Sequence, residues 1–393
     1  MSTKPICIGL VLQHSYAYYR DVLRGIRRYV EAKPQWLLTS IAPKQRSLRT
    51  LGPLRPAGLI AAVTTRELVR TLPSWRRPVV NIAAVFHGLR FPCVGVHNVQ
   101  VGRLAAAHFL ERGLRHFGFV GSADYLLSSE REAAFCQALR EAGQTVACHE
   151  APAHLAYEPL GQRWARDLGV RRWLRALPKP VGVFVPQDLW AVQVVEACRQ
   201  VELRVPEDIA VLGVGDDDLY CEVTRPPLSS IVLPAEQIGY EAAALLERML
   251  AGEKPPREPI LLPPTGVATR RSTEVLAIDD VEVVAAVRFI REHAHLPLRV
   301  ADVLRQVPSG RRTLERRCRR ALGRGLGEEI RRTHLEQARR LLASTDLPMK
   351  TLAVQAGFSD YSHMAVVFRK DLGISPTAYR RQMRGPAQHA TSL

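Results

Sequence analysis

Between Arg311 and Arg320, six of ten residues are arginine. Planar guanidinium forks in that number suit bidentate donation to guanine O6 and N7 and pairing with phosphate oxygens. A short amphipathic stretch, ValAlaAspValLeuArgGlnVal (300–307), precedes the run, and ProSerGlyArg (308–311) makes a turn between them. The plan recurs in MetLysThrLeuAlaValGlnAlaGly (349–357), a turn at PheSerAspTyr, and a helix through Phe368 and Lys370. The major groove is about 12 Å wide and takes one helix, so two helix-turn-helix units predict a reader of double-stranded DNA. Candidate contacts are Arg311, Arg312, Arg316 and Arg317 in the first unit, and Asp360, Tyr361, Ser362, His363 and Arg369 in the second. Arg312 and Arg316 lie one helical turn apart near their helix start and are assigned to base edges. Arg319, Arg320, Arg369 and Lys370 lie further along and are assigned to phosphates or simply to solvent.

A second group of polar residues follows apolar runs much earlier in the chain. Gln13 and His14 follow IleCysIleGlyLeuValLeu, His97 and Asn98 follow CysValGlyVal, and Ser122 and Asp124 follow PheGlyPheValGly. Gln187 and Asp188 follow ValGlyValPheVal, and Asp216 follows LeuGlyValGly. In a doubly wound sheet, ligands bind beyond the carboxyl ends of the strands, which makes these side chains a candidate small-molecule site. Polar strand-to-helix loops also supply helix caps, and Asp188 is placed to cap a helix over 189–200.

The elements that must position these residues alternate. Strand candidates at 6–12, 36–41, 58–63, 78–82, 117–121, 181–185 and 209–214 are separated by helical stretches such as Tyr19–Glu31, Val101–Arg112, Glu130–Glu141, Leu189–Gln200 and Ala235–Leu250. Such alternation predicts parallel sheets with helices on both faces, and about 270 residues accommodate two of them, an α/β two-lobed sensor. The expected division is a ligand-sensing domain at 1–275, a linker at 276–280, an all-α DNA-binding domain at 281–384 and a disordered tail at 385–393. Between the two readers, helix 328–344 places Ile330, Leu335, Ala338, Leu341 and Leu342 on one apolar stripe, able to hold both units on one side.

Composition restricts the function further. The net charge is +17, and residues 279–393 carry 21 basic against 12 acidic side chains, as a polyanionic partner requires. No Gly-x-Gly-x-x-Gly or Gly-x-x-x-x-Gly-Lys-Ser/Thr loop follows a strand, and no Gly-x-Ser-x-Gly elbow occurs, so neither a nucleotide cofactor nor hydrolase chemistry is expected. Seven cysteines without a Cys-x-x-Cys pair argue against a zinc site or disulfide framework. The chain has no apolar run long enough to span a membrane and no secretory leader, and is expected in the cytoplasm.

Two resemblances are carried by longer motifs. ValProGluAspIleAlaValLeuGly (205–213), ProProLeuSerSerIle (226–231), GluGlnIleGlyTyrGluAlaAlaAlaLeuLeu (236–246) and ArgArgSerThr (270–273) resemble the sensor domain of LacI/GalR repressors and sugar-binding periplasmic proteins. LeuGluArgArg (314–317), LeuGluGlnAlaArgArgLeuLeu (335–342), AlaGlyPheSerAsp (356–360), ValPheArgLys (367–370) and GlyIleSerProThrAlaTyrArg (373–380) resemble an AraC/XylS-type DNA-binding domain. The resemblance implies a transcription regulator that activates sugar-catabolism genes, with RNA polymerase a partner if it is an activator. A homodimer is expected because two identical readers double the phosphate contacts and make the second binding event intramolecular. It assigns Arg131 to sugar hydroxyls and Asp188 to an acceptor role. The sequence departs from the sensor pattern at His97, Gln187, Trp190 and Gly215, which leaves the sugar open. An enzyme fused to a DNA-binding domain, and a DNA binder with an unresponsive sensor, are the alternatives.

Overall fold

The computed structural model describes residues 5–13, 16–41, 56–83, 85–86, 88–151, 168–274 and 280–384. His14, most of the expected linker and the expected tail lie outside the described residues.

Runs of β-branched and aliphatic residues form the strands, because such side chains pack well on a pleated, buried surface. In chain order the sensor runs β1 (Ile6–Val11), α1 (Ala17–Val30), β2 (Trp36–Ser40), β3 (Gly58–Ala61), α2 (Arg66–Thr71), β4 (Val79–Asn81), β5 (Val94–Val96) and α3 (Asn98–Leu110). It continues with β6 (His116–Gly121), α4 (Leu126–Glu141), β7 (Val146–Glu150), α5 (Leu168–Ala176), β8 (Val181–Phe184), α6 (Asp188–Gln200), β9 (Ile209–Val214) and α7 (Asp218–Val223). β10 (Ser229–Val232), α8 (Ala235–Leu250), β11 (Ile260–Leu262) and β12 (Gly266–Ala268) complete it.

Among the described residues, the first lobe holds a parallel sheet of order β2-β1-β3-β4. A parallel β5–β11 pair extends it through a bridge between Asn81 and Cys93. The second lobe holds a sheet of order β12-β10-β9-β8-β6-β7. Two doubly wound lobes were expected, but the edge strand β12 runs antiparallel to β10. The three residues of β12 are a return after the chain has revisited the first lobe through α8 and β11. Near 97, 233 and 264 the chain passes between lobes, and the cleft lies between these crossings. In the first lobe α1 and α8 cross at backbone contact: a Cβ on Gly239 would lie 2.0 Å from Val22 O, and one on Gly25 only 1.8 Å from Glu236 O.

The C-terminal domain comprises α9 (Val281–Glu292), α10 (Val300–Leu304), α11 (Arg311–Leu322), α12 (Leu326–Ser344), α13 (Met349–Gln355), α14 (Tyr361–Leu372) and α15 (Pro376–Arg384). Both second helices of the helix-turn-helix units end at a left-handed glycine, Gly323 (φ 74°) and Gly373 (φ 72°). α12 bridges two small cores. Its Leu326 and Ile330 pack with Val303, Leu314 and Cys318, and its Leu335, Ala338 and Leu342 pack with Leu352, Met364 and Phe368. Cys318 and Met364 are fully buried in these cores.

The two domains touch through polar groups. Glu329, fully buried, accepts from Arg324 Nε at 2.5 Å and Arg332 Nε at 3.3 Å, with Arg291 4.0 Å away. Arg332 also pairs with Glu111 of the sensor, and Arg324 donates to the Glu111 carbonyl at 3.2 Å. Tyr379, buried on α15, donates its hydroxyl to the carbonyl of Thr265 at 2.7 Å.

Candidate functional site

A cavity of about 120 Å³ lies between the lobes at the carboxyl ends of the strands. Its apolar wall includes Ile82, Val85, Val96, Leu127, Leu189 and Val214, and its polar groups come from Tyr16, Tyr18, Asn98, Arg131, Gln187, Asp188, Asp217 and Tyr220. A largely apolar cleft with few convergent polar groups is the usual form of a small-ligand site.

Each polar group is held by a specific element. Arg131, buried on α4, donates Nε to Asn98 Oδ1 at 2.9 Å and Nη1 to the Pro186 carbonyl at 2.5 Å. Asn98, at the start of α3, donates in turn to Glu130 Oε2 at 2.8 Å. Asp188 is not the cap that its position suggests. It is the first residue of α6, and its carboxylate accepts from Ser230 Oγ at 2.6 Å and from the Asp217 backbone N–H at 2.9 Å. Burial pushes its carboxyl up to about 6, against the opposing effect of those two hydrogen bonds.

Asp188 thereby fixes the backbone that presents Asp217. Asp217 Oδ2 accepts the N–H of Ala17, the first residue of α1, at 2.9 Å, so one carboxylate oxygen latches the second lobe to the first. The other, Oδ1, is buried with no hydrogen-bond partner, the nearest cation being Arg20 at 4.0 Å. A buried acceptor left unmade costs about 1–3 kcal/mol, and a ligand hydroxyl would satisfy it. Beside it, burial holds the Tyr16 hydroxyl up at about 12, reinforced by Tyr220 and Asp217, so Tyr16 stays a neutral donor.

Of the residues singled out from the sequence, Asn98, Arg131, Gln187 and Asp188 meet in this cavity, whereas Gln13, His97 and Asp216 lie outside its lining. Asp216 has φ 54° and its carboxylate accepts from Arg270 at 2.7 Å, which turns it away and points its neighbour Asp217 inward. His97 immediately precedes α3 and donates its backbone N–H to Leu262 O at 2.8 Å. Ser122 is buried against Ser128, and Asp124 is exposed. Trp190 packs into the core, its ring centroid 6.1 Å from that of Tyr125. Sequence reasoning passed over Tyr16, Tyr18, Asp217 and Tyr220; the tyrosine cluster directly after the first strand was the available signal.

On the reader, Arg311, Arg312, Arg316, Arg319 and Arg320 are exposed on α11. Arg317 instead pairs with Glu282, and with Asp280 at 3.5 Å, on the α9 side. On α14 the exposed stripe is Ser362, His363, Val366, Arg369 and Lys370. Asp360 caps that helix by accepting the His363 N–H at 2.8 Å, and the half-buried Tyr361 places its hydroxyl 3.3 Å from Thr377 Oγ1.

Residues 106–273 match the periplasmic binding protein-like domain, and residues 304–382 match a helix-turn-helix domain. A two-lobed sensor joined to a double reader defines a ligand-responsive, DNA-binding transcription regulator. The chain is 29% identical to the xylose operon regulatory protein of Escherichia coli K12 over 97% of its own length and 98% of the relative's. It is 26% identical to that of Haemophilus influenzae over 95% and 97%. A solved xylose-binding transcription activator superposes with a TM-score of 0.60 at 28% identity, covering 97% of this chain and 99% of that one. No described helix is long and apolar enough to cross a membrane.

Proposed function

We propose that this regulator activates genes of sugar catabolism when an aldopentose-class sugar occupies the inter-lobe cavity. The observation that carries the reading is Asp217 Oδ1, buried without a hydrogen-bond partner in a cleft whose other polar groups are Arg131, Asn98, Gln187, Asp188 and neutral tyrosines. An acceptor facing fixed donors matches vicinal hydroxyls, each both donor and acceptor, while the tyrosine rings and aliphatic wall match the C–H face of a sugar ring. The relatives named for the xylose operon favour xylose or a close analogue. The similarity to relatives named as regulators favours a binding role over an enzyme. The regulator acts as a homodimer, since two identical readers make the second DNA contact intramolecular, and an activator then engages RNA polymerase.

A thermal-shift and calorimetric panel of D-xylose, L-arabinose, D-xylulose, D-glucose and D-glucuronate tests the site. One sugar should raise the melting temperature, a ligand at 100 times its Kd adding about 2.7 kcal/mol. Arg131→Ala should abolish that shift with DNA binding intact. Turnover of a sugar, or an undiminished shift in Arg131→Ala, overturns the reading.

A further inference from the structure

Two cysteines twelve residues apart meet outside the cavity lining. Cys136 lies on α4 and Cys148 on β7, the edge strand of the second sheet, and their sulfurs are 3.8 Å apart. Cys136 is half-buried and Cys148 exposed, so a small oxidant reaches both. We propose that this pair is a modification site at which a hydroperoxide forms an intramolecular disulfide.

The neighbouring groups divide the chemistry. The bond to Cys148 holds the Cys136 thiol below its ordinary range; burial and Glu132 oppose this, and Arg140, one turn along α4, assists it. Cys148 is pushed far up, first by its bond to Cys136 and then by burial, with Glu132 also bonded to it. Arg140, four residues along the same helix, favours negative charge on Cys136, and we assign Cys136 as the attacking thiolate, the reactive form. Its sulfur attacks one peroxide oxygen, the O–O bond breaks, and the departing alkoxide or hydroxide takes up a proton, leaving Cys136 as a sulfenic acid. Cys148 then passes its proton to Glu132 and attacks Cys136 Sγ. The S–O bond breaks and hydroxide leaves as water with that proton. Two thiols and one hydroperoxide thus give one disulfide, one alcohol or water, and one further water.

The other cysteines offer no equivalent. Burial raises Cys93 and Cys318 to about 11 and Cys198 to about 12, and Cys221 is pushed up by burial and by Asp188. Cys7 is engaged with Thr39 at 3.4 Å. Closing the pair to the ~2.05 Å of a disulfide needs a shift of an edge strand against one helix. That helix carries Arg131, five residues before Cys136, so the bond would tie the ligand-binding arginine's element to the sheet edge.

The test treats the reduced full-length protein with substoichiometric hydrogen peroxide, followed by intact mass and peptide mapping. Loss of two hydrogens with a Cys136–Cys148 cross-linked peptide is expected. Cys148→Ser should lose the cross-link and instead trap dimedone at Cys136, while Cys136→Ser should leave Cys148 unlabelled. Three results overturn the proposal: a cross-link through other cysteines, dimedone labelling of Cys136 as strong in the wild type as in Cys148→Ser, or no mass change under conditions that oxidise thioredoxin.

Discussion

Arg316 and Arg369 carry the same charge on the two reading helices and are expected to do different things. Arg316 is exposed one turn into α11, directly above Arg312 on the same face, where a guanidinium reaches guanine O6 and N7. Arg369 is exposed in the last turn of α14, where side chains meet backbone phosphates. Arg316→Ala should therefore cost ~1–3 kcal/mol and relax discrimination at one or two base pairs, whereas Arg369→Ala should weaken all sequences alike and lower the salt slope by about 1. Competition binding on selected and random duplexes at several salt concentrations separates them, and equal losses on both DNAs for Arg316→Ala would refute the assignment. Asp188 makes a pH prediction. Its folded-state carboxyl stands at about 6, above the 3.8 of an ordinary aspartate, so the native state binds the extra proton between those values and loses stability as pH rises through that window. Asp188→Asn removes this titration. The variant's melting temperature should gain on the wild type as pH rises from about 4 to about 7; a constant difference would show that Asp188 is ionised throughout.

At the scale of elements, the α1–α8 crossing in the first lobe is the contact least tolerant of added atoms. Gly239→Ala puts a methyl group 2.0 Å from the backbone oxygen of Val22, and neither partner is a flexible side-chain end that can give way. Overpacking of this kind costs typically ~1–3 kcal/mol or more, and a fall of several degrees in the sensor's melting temperature is expected; an unchanged value would mean that the helices separate freely. This crossing was not legible in the sequence, because helix periodicity shows that a face is buried without showing what it meets. The long apolar strands and the apolar stripe of α12 were legible, since a residue such as Ile209 or Ala338 is buried whatever its partner. Short strands such as β12 were not, because pairing with β10 makes three residues a strand, and no pattern of their own does. The strand-end rule names residues on both sides of the cavity without saying which of them face it. In AspAspAsp (216–218) nothing in the residue types distinguishes Asp216 from Asp217. The positive φ of Asp216 and its pairing with Arg270 decide which carboxylate enters the cavity.

Across the whole molecule, one chain of contacts connects the cavity to a reading helix. Asp188 holds Ser230 of β10 at 2.6 Å, and Ser230 stands opposite Ala268 of β12. Thr265, just before β12, donates its N–H to Val232 O at 3.0 Å and accepts the Tyr379 hydroxyl at 2.7 Å through its own carbonyl. The Tyr379 ring meets Phe368 of α14 edge-on, with centroids 5.2 Å apart. A ligand that changes the setting of Asp217 and Asp188 thus works against a strand whose end is bonded to the reader. Coupling between sites is typically ~1–3 kcal/mol, and one hydrogen bond is worth about 1 kcal/mol, so this bond can carry a measurable share. Tyr379→Phe removes the hydroxyl and keeps the ring, sparing the packing against Phe368. Its expected effect is on the ratio of DNA Kd without and with sugar, which should fall roughly fivefold, the equivalent of one hydrogen bond, while sugar-free DNA binding and folding change little. An unchanged ratio would mean that the Tyr379–Thr265 bond persists equally in both states, and that the ligand's effect reaches the reader through the Glu111–Arg332 contact instead, where Glu111→Gln should then reduce the ratio.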